Sequence, residues 1–432
     1  MNIFLKNLTE KLPYSIGSKF VWVPFQFRLG KQYKIYKKLI LQHLNYSEEQ
    51  KYDFLLDRLR NIYSYSVEHF SFYRELYGQY GFSSLKIIDL KDFEKLPVLN
   101  KETFREFTKH VDGYLKLNTG GTSGKPFSFY VDKGAFAREW AHMHYIWQIK
   151  NYSPRNIKIT FRGKNISENI VYNPVHNEFI VNTYKPVKTI YLDFINLLKK
   201  CRVEYIHGYP SAIYNFFKEL EQIITLEEKS IITEVIISCL LGSEYPASYM
   251  TEYLKKVWGF DYISWYGHSE MCILAYDPIN TMDYVPMYTY GFPEEVNGHL
   301  IGTSFNNYDM PLIRYDTEDM VETIKDKRGL ISSFKIKEGR IGDFILDNSG
   351  TRIPLTALIY GRHHRIFEYV DFIQVKQEEK GEVVFFITLL NERFSKKKII
   401  ENIDLTNIDI DFQIKFLNKP ILSSSGKIKL KL

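Results

Sequence analysis

The sequence predicts an α/β protein: a large, layered α/β domain with a helical N-terminal region, followed by a small, mobile α+β domain. Helical periodicity before about residue 114, strands that alternate with helices after it, and a Gly-Asp pair before a predicted hairpin support this fold class. The 432 residues are too many for one ordinary core and suffice for about two or three domains.

The N-terminal region has the spacing of a buried helix face. Phe54, Leu55, Leu59, Ile62 and Tyr63 recur three or four residues apart, which predicts helix within residues 47–116. Leu96-Pro97-Val98 interrupts the pattern, because proline disfavours helix at the residue before it.

From about residue 114 the pattern changes to short apolar segments alternating with helical ones. The predicted strands are Phe127–Val131, Ile157–Phe161, Tyr205–Gly208, Glu234–Leu240 and Tyr262–Trp265. The predicted helices are Gly134–Ile149, Leu192–Lys200, Ser211–Leu226 and Pro246–Val257. This alternation indicates a layered α/β sheet.

A domain boundary is predicted near residue 341. Asp347-Asn348-Ser349-Gly350 is typical of a hairpin turn, and strand and helix patterns continue after it. We therefore expect a large domain at 1–341, with a helical N-terminal region at 1–116, and a small domain at 342–432.

Composition excludes several classes of protein. The net charge of +6 is mild, and no long Lys/Arg run precedes the C-terminal tail, which argues against nucleic acid as the partner. Three widely spaced cysteines form neither a disulfide framework nor a CxxC site, so we expect a cytoplasmic protein. No apolar stretch is long enough for a transmembrane helix. The aromatic segment 20–27, followed by lysines, would either pack on the body or touch a membrane surface.

The segment Asn118 to Pro126 has the composition of a phosphate-binding loop. Gly120, Gly121 and Gly124 allow tight turns that bring backbone N–H groups close to an anion. The same segment adds three hydroxyl groups and one cation: Thr119, Thr122, Ser123 and Lys125. It is not a Walker loop, because Thr stands where the first glycine is needed and Pro follows the lysine. A solvated turn is the alternative.

Five segments, in order, resemble the adenylate-forming superfamily of acyl-CoA synthetases, luciferases and peptide-synthetase adenylation domains. They are the phosphate loop T-G-G-T-S-G-K-P, Tyr266-Gly267-His268-Ser269-Glu270, Arg314-Tyr315-Asp316-Thr317-Glu318-Asp319, Gly339-Arg340-Ile341-Gly342-Asp343 and Ser424-Ser425-Gly426-Lys427-Ile428. Gly242-Ser243-Glu244 resembles the short adenine-contacting turn of this superfamily.

Within this superfamily the chain resembles phenylacetate–CoA ligase-like proteins, in particular their capsular-polysaccharide biosynthesis branch, and this resemblance reaches into the N-terminal third. The similar segments are His69-Phe70-Ser71-Phe72-Tyr73-Arg74, Leu96-Pro97-Val98-Leu99-Asn100-Lys101 and Gly208-Tyr209-Pro210-Ser211. The resemblance covers nearly the whole chain after residue 50.

The resemblance implies a reaction in which a carboxylate attacks the α-phosphate of ATP and pyrophosphate leaves. Developing charge on the phosphorus oxygens must be met by fixed donors and cations. The loop at 119–125 would hold the β/γ end of ATP, Glu270 would ligate Mg²⁺, Tyr266 would stack on adenine and Asp319 would bind the ribose. His268 would line the acyl pocket or serve as a turn residue.

Three further roles follow from the resemblance. Lys427 would enter the site with the small domain and touch the carboxylate and the α-phosphate together. Arg340 would pair with a ribose or phosphate oxygen, with a surface salt bridge as its alternative. Asp343, beside Gly342, would be the pivot of a domain rotation.

Glu318 and Gly120 depart from the superfamily pattern, which usually has Gly and Ser/Thr there. The acceptor of the acyl group would be CoA, a carrier thiol or an amine such as an amino sugar. Two alternatives stay open: a nucleotide-binding scaffold without turnover, and a glycosyltransferase using Asp409-Ile410-Asp411.

Overall fold

The computed structural model describes most of the chain. The described residues exclude 1–11, 13, 83–85, 119–126, 165, 338–342, 356–357, 360–365, 367–368, 390, 392–393 and 422–429.

The N-terminal region is helical, as its periodicity predicts, but the helices begin well before residue 47. They are α1 (Tyr14–Gly17), a 3-10 turn (Ser18–Trp22), α2 (Phe25–Leu29), α3 (Lys31–Leu44), α4 (Glu48–His69), α5 (Ser71–Gln79), α6 (Leu90–Glu94) and α7 (Lys101–Thr108). The long helix α4 begins at a capping box, in which Ser47 and Gln50 each accept a hydrogen bond from the other's backbone N–H. Contrary to the prediction, the helical region ends at Thr108. It is followed by the hairpin of β1 (Leu115–Asn118) and β2 (Ser128–Val131).

An eight-stranded sheet forms the centre of the molecule, in the order β10-β9-β8-β7-β6-β3-β5-β4. Its strands are β3 (Ile157–Phe161), β4 (Ile170–Asn173), β5 (Glu178–Val181), β6 (Val203–Gly208), β7 (Ser238–Leu241), β8 (Asp261–Gly267), β9 (Leu274–Asp277) and β10 (Val285–Pro286). From β5 through β3, β6 and β7 to β8 the neighbouring strands are parallel, so their carboxyl ends meet at one edge.

Helices cover both faces of this sheet, which is why its strands are apolar on both sides. Leu240 of β7 packs in the same core as helix α8 (Ala135–Gln148), whereas its neighbours Cys239 and Leu241 pack in the opposite core. That second core is covered by α9 (Val187–Lys200), α10 (Pro210–Leu220), α11 (Leu226–Val235) and α12 (Ser248–Trp258).

Two predicted boundaries in this region are wrong, the end of the helix predicted at Ser211–Leu226 and the start of the strand predicted at Glu234, because a separate helix lies between them. Helix α10 ends at Leu220, and Thr225 begins a separate helix through a capping box with Glu228. Residues 234 and 235 therefore belong to α11, and the strand predicted from Glu234 begins at Ser238.

Three smaller sheets complete the fold. The first contains β11 (Gly291–Val296), β12 (His299–Ser304), β13 (Tyr315–Lys325) and β14 (Ile331–Ile336), all antiparallel. The C-terminal region has the hairpin β15 (Phe344–Leu346) and β16 (Arg352–Pro354), the sheet β17 (Val370–Lys376), β18 (Glu382–Leu389) and β19 (Asp411–Leu417), and helix α13 (Lys396–Asn402).

The predicted turn joins β15 to β16. The Gly350 N–H donates to the Asp347 carbonyl at 2.9 Å, and Gly350 has a φ of 87°, a conformation that favours glycine. A separate hydrophobic core of this C-terminal region runs from Ile345 to Leu430 and includes Tyr184 from the preceding region of the chain. The mixed α/β architecture, with a large N-terminal region and a smaller C-terminal sheet region, agrees with the predicted fold class. The boundary at residue 341 stays a prediction, since 338–342 lie outside the described residues.

Candidate active site

The segments that follow four parallel strands lie together at the carboxyl edge of the central sheet. Arg162 follows β3, Tyr209 follows β6, Gly242 follows β7 and His268 follows β8. In open α/β sheets this edge is where ligands bind. Parallel pairing therefore brings together segments that are more than a hundred residues apart in the sequence.

Glu270 is a buried carboxylate held by two hydrogen bonds. The Tyr315 hydroxyl donates to its Oε1 at 2.8 Å, and His268 Nδ1 donates to its Oε2 at 3.3 Å. Burial opposes ionisation, but the hydrogen bond and charge of His268, the charge of Lys101 and the Tyr315 bond together lower the pKa of Glu270 to about 2. Glu270 is therefore an oriented carboxylate that is ionised near neutral pH.

Asp319 and Tyr266, predicted to bind ribose and adenine, touch each other. The Tyr266 hydroxyl donates to Asp319 Oδ2 at 2.8 Å. The Tyr266 ring is 8% exposed and packs edge-on against Phe334, with 5.3 Å between ring centroids. The contact joins the end of β8 to β13 and places two predicted nucleotide-binding groups at one point.

Glu318, the departure from the superfamily glycine, has a backbone that glycine would favour. Its φ is 63°, in the left-handed region, and its backbone N–H donates to Asp316 Oδ1 at 2.8 Å. Its carboxylate forms an ion pair with Lys101 at 2.6 Å. The chain around Lys101 reaches this loop because Leu99 forms a parallel β-bridge with Tyr315.

The turn Gly242-Ser243-Glu244 is closely packed. A Cβ on Gly242 would lie 2.2 Å from the Trp265 ring, so no side chain fits there. Ser243 has a φ of 69°. One oxygen of Glu244, Oε2, accepts hydrogen bonds from the Ser211 N–H and hydroxyl at 3.3 and 2.5 Å, while burial raises the pKa of this carboxyl.

The predicted phosphate loop lies outside the described residues, but the residues on either side of it, Asn118 and Phe127, are described. Asn118 pairs with Ser128 across the β1–β2 hairpin, and the Ser128 hydroxyl donates to Asn118 Oδ1 at 2.7 Å. Phe127 stacks on Tyr315, with 6.3 Å between ring centroids. Tyr315 therefore contacts both Phe127, which follows the predicted loop in the sequence, and the buried carboxylate of Glu270.

Arg340 and Lys427 also lie outside the described residues, whereas the segments beside Lys427 are held on the C-terminal sheet. The Ile421 N–H donates to Gln374 Oε1 at 2.7 Å, and Leu430 accepts from the Val375 N–H at 2.7 Å. Lys431 Nζ donates to the Phe344 carbonyl at 2.6 Å, next to the predicted pivot Asp343. Leu430 and Lys431 thus pair with strand β17 and with Phe344 of β15.

Sequence analysis did not single out Arg162 and Glu139. Arg162 Nε has no hydrogen-bond partner among the described residues, and the same holds for His268 Nε2. Glu139, on α8, accepts a short hydrogen bond from Tyr290. Burial raises the pKa of Glu139, and the charges of His268 and Arg162 oppose that rise. An arginine directly after a predicted strand of the sheet was the available signal for Arg162.

No protein-family profile matches the chain. Among solved structures, it is similar to 2-hydroxyisobutyryl-CoA ligase in complex with 2-HIB-AMP and CoA in the thioesterification state. The TM-score is 0.53 at 14% identity, covering 89% of this chain and 90% of that one. The same ligase in the postadenylation state with 2-HIB-AMP gives a TM-score of 0.52. The chain therefore has the fold of the adenylate-forming ligases, as its five motifs predict.

A curated relative is Protein CapK of Staphylococcus aureus. It is 21% identical over 398 residues, which are 86% of this chain and 86% of that protein. The two sequences thus correspond over most of their lengths.

Proposed function

We propose that the protein is an AMP-forming ligase that activates a small carboxylic acid as an acyl-adenylate and then transfers the acyl group to a thiol or an amine. One observation carries the proposal: an ionised, buried Glu270 lies beside the Tyr266–Asp319 contact at the carboxyl edge of an adenylate-forming ligase fold. The phosphate-loop flank Phe127 adjoins the same carboxylate through Tyr315.

The residues of the edge suit Mg²⁺ and a nucleotide. Magnesium in such sites takes one or two carboxylates together with phosphate oxygens and water, so Glu270 fits as its protein ligand. Among the described residues no cluster of three or more acidic, histidine or cysteine side chains offers an alternative metal site. When bound, the ion would neutralise phosphate charge. Asp319 would accept the ribose hydroxyls, and Gly242–Glu244 would contact the base.

The cations of the proposed reaction belong to three segments outside the described residues. In the proposal, Thr119, Thr122, Ser123 and Lys125 hold the departing pyrophosphate, Arg340 pairs with a ribose or phosphate oxygen, and Lys427 bridges the carboxylate and α-phosphate. Lys427 lies between two anchored segments of the small sheet, so it would move with that sheet. Rotation about Asp343 would then exchange the adenylation and transfer arrangements.

CoA is the acceptor that the structural likeness favours, because the similar 2-hydroxyisobutyryl-CoA ligase holds both an acyl-adenylate and CoA. The resemblance to the capsular branch favours an amine acceptor in surface polysaccharide decoration. ATP and CoA are both intracellular metabolites, so we place the reaction in the cytoplasm.

Carboxylate-dependent ATP–pyrophosphate exchange tests the proposal directly. A panel of aryl, fatty, hydroxy and amino acids should contain at least one acid that drives exchange with wild-type protein. Mass spectrometry after addition of CoA, or of hydroxylamine as a model amine, then identifies the acceptor class. ATP binding without exchange for any acid would instead support the scaffold.

Lys427→Ala should abolish exchange while leaving ATP affinity within about threefold, because the lysine acts on the transition state. Lys419→Ala is the matched control, an exposed lysine in the same C-terminal region. Unchanged exchange in Lys427→Ala would remove this residue from the mechanism.

A further inference from the structure

The N-terminal helices carry a concentration of positive charge. Residues 14–47 contain six basic side chains and no Asp or Glu. Since the whole chain has 57 Lys and Arg against 51 Asp and Glu, the two counts are equal outside this segment. The excess of six positive charges in this segment therefore equals the net charge of the whole chain.

Five of the six basic residues are exposed lysines, and none of them forms an ion pair with a described residue: Lys19, Lys31, Lys34, Lys37 and Lys38. On α3 the buried residues Tyr33, Tyr36 and Ile40 mark the inner face. Helical spacing places Lys31, Lys34 and Lys38 on the opposite face, together with exposed Ile35. The lysines thus face solvent as an unpaired set.

Large apolar side chains are exposed in the same segment. Trp22 is 73% exposed and Phe27 is 72% exposed, and Ile16 and Val23 are exposed beside them. The backbone that presents them is fixed, because Arg28 points inward and donates to the carbonyls of Val21, Val23 and Val175. Buried Phe25 lies between the two exposed rings in sequence and contacts His144 of α8.

We propose that this basic aromatic surface, formed by Ile16, Lys19, Trp22, Val23, Phe27, Lys31, Lys34, Ile35 and Lys38, docks the protein on an anionic lipid bilayer. A bilayer surface suits both sets of side chains, since aromatic rings favour the headgroup region and unpaired lysines are attracted to anionic lipid. Nucleic acid would satisfy the lysines but would leave the exposed aliphatic groups in water. Among the described residues, no helix is long and apolar enough to cross a membrane.

Sedimentation with vesicles tests this docking on the full chain. We expect binding to phosphatidylcholine vesicles that contain 30% phosphatidylglycerol to be at least tenfold tighter than to pure phosphatidylcholine, and to weaken at 0.5 M salt. Because each lysine near such a surface contributes about fivefold, Lys31→Glu/Lys34→Glu/Lys38→Glu should weaken binding about a hundredfold or more. Trp22→Ser/Phe27→Ser should weaken it about tenfold or more.

Two control variants test whether weaker vesicle binding requires changes on this surface or follows from any loss of positive charge or exposed apolar area. Lys188→Glu/Lys199→Glu/Lys200→Glu changes three exposed lysines of α9 by the same total charge, and Leu226→Ser/Ile279→Ser removes two side chains that are 87% and 73% exposed. Both controls should bind like wild type, and circular dichroism should show every variant folded. Equal binding to neutral and anionic vesicles, wild-type binding by the surface variants, or retention of duplex DNA without vesicle binding would each overturn the proposal.

Discussion

The Tyr315 hydroxyl donates a hydrogen bond of 2.8 Å to Glu270 Oε1, and the two side chains are 0% and 6% exposed. Burial of the pair excludes water, and the hydrogen bond favours the ionised form of the carboxylate. Tyr315 also stacks on Phe127 at the flank of the predicted phosphate loop. Tyr315 therefore contacts both the proposed metal ligand, Glu270, and Phe127, which follows the predicted phosphate loop in the sequence.

Tyr315→Phe should raise the KM for Mg·ATP about tenfold or more, since a hydrogen bond to a charged group is worth about 1.5–3 kcal/mol. The pKa of Glu270 should rise, because the lost bond stabilised the carboxylate, and the acid limb of the pH–rate profile should move to higher pH. Exchange kinetics across pH measure both effects. Tyr288→Phe is the control, since Tyr288 donates to the Ile331 carbonyl instead. An unshifted acid limb would argue against Glu270 acting as the ionised ligand.

Glu318→Gly should leave stability within about 1 kcal/mol of wild type. Relief of the left-handed backbone gains about 1 kcal/mol, and loss of the half-exposed Lys101 ion pair costs about 0–1 kcal/mol. Glu318→Val should destabilise by about 1–2 kcal/mol, because a β-branched side chain fits a positive φ poorly. Urea unfolding measures these changes, and Lys101→Ala isolates the ion pair. A tenfold gain in exchange on restoring glycine would show that Glu318 restrains activity.

Arg162→Gln should raise the KM for the carboxylic acid about tenfold or more and leave the KM for ATP within about twofold. The expectation follows from the position of Arg162 directly after β3, at the carboxyl edge of the sheet, and from its Nε, which forms no hydrogen bond with a described residue. Initial-rate exchange with acid and ATP varied separately measures the two constants. Arg202→Gln, at an exposed arginine, is the control. Equal changes in both constants would place Arg162 outside the acid pocket.

Stability should decrease as pH falls from about 6.5 toward 4, in part because of His142. Burial lowers the pKa of His142 to about 4, and its ring nitrogens contact the Arg138 carbonyl and the Thr289 hydroxyl. The unfolded chain then binds more protons than the folded one, so each such histidine costs about 1.4 kcal/mol per pH unit in this window. Urea unfolding at pH 7 and pH 5 should show a smaller difference in His142→Gln than in wild type. The exposed His69→Gln variant should keep the wild-type difference, and an equal loss in both variants would contradict the assignment.

The sequence itself determined the elements with strong local signals. Apolar runs predicted β3 to the residue, and a four-residue turn composition predicted the hairpin at 347–350. Local capping decided the boundary that was predicted wrongly, since the Thr225–Glu228 box begins a new helix inside an unbroken apolar pattern. The five motifs, by their residue types and their order along the chain, also indicated the fold of the adenylate-forming ligases, although the identity to the similar solved ligase is only 14%.

Only the tertiary structure decided which residues meet. Tyr266 and Asp319 are joined because β8 and β13 converge, and Lys101 reaches Glu318 because Leu99 pairs with Tyr315. The left-handed backbone at Glu318 and the position of Arg162 and His268 at one edge of the sheet depend on packing between distant segments, for which the sequence has no local signature. Helical periodicity can indicate which face of α3 is buried, but only burial shows that Trp22 and Phe27 remain in solvent, since an aromatic run suits a core equally well.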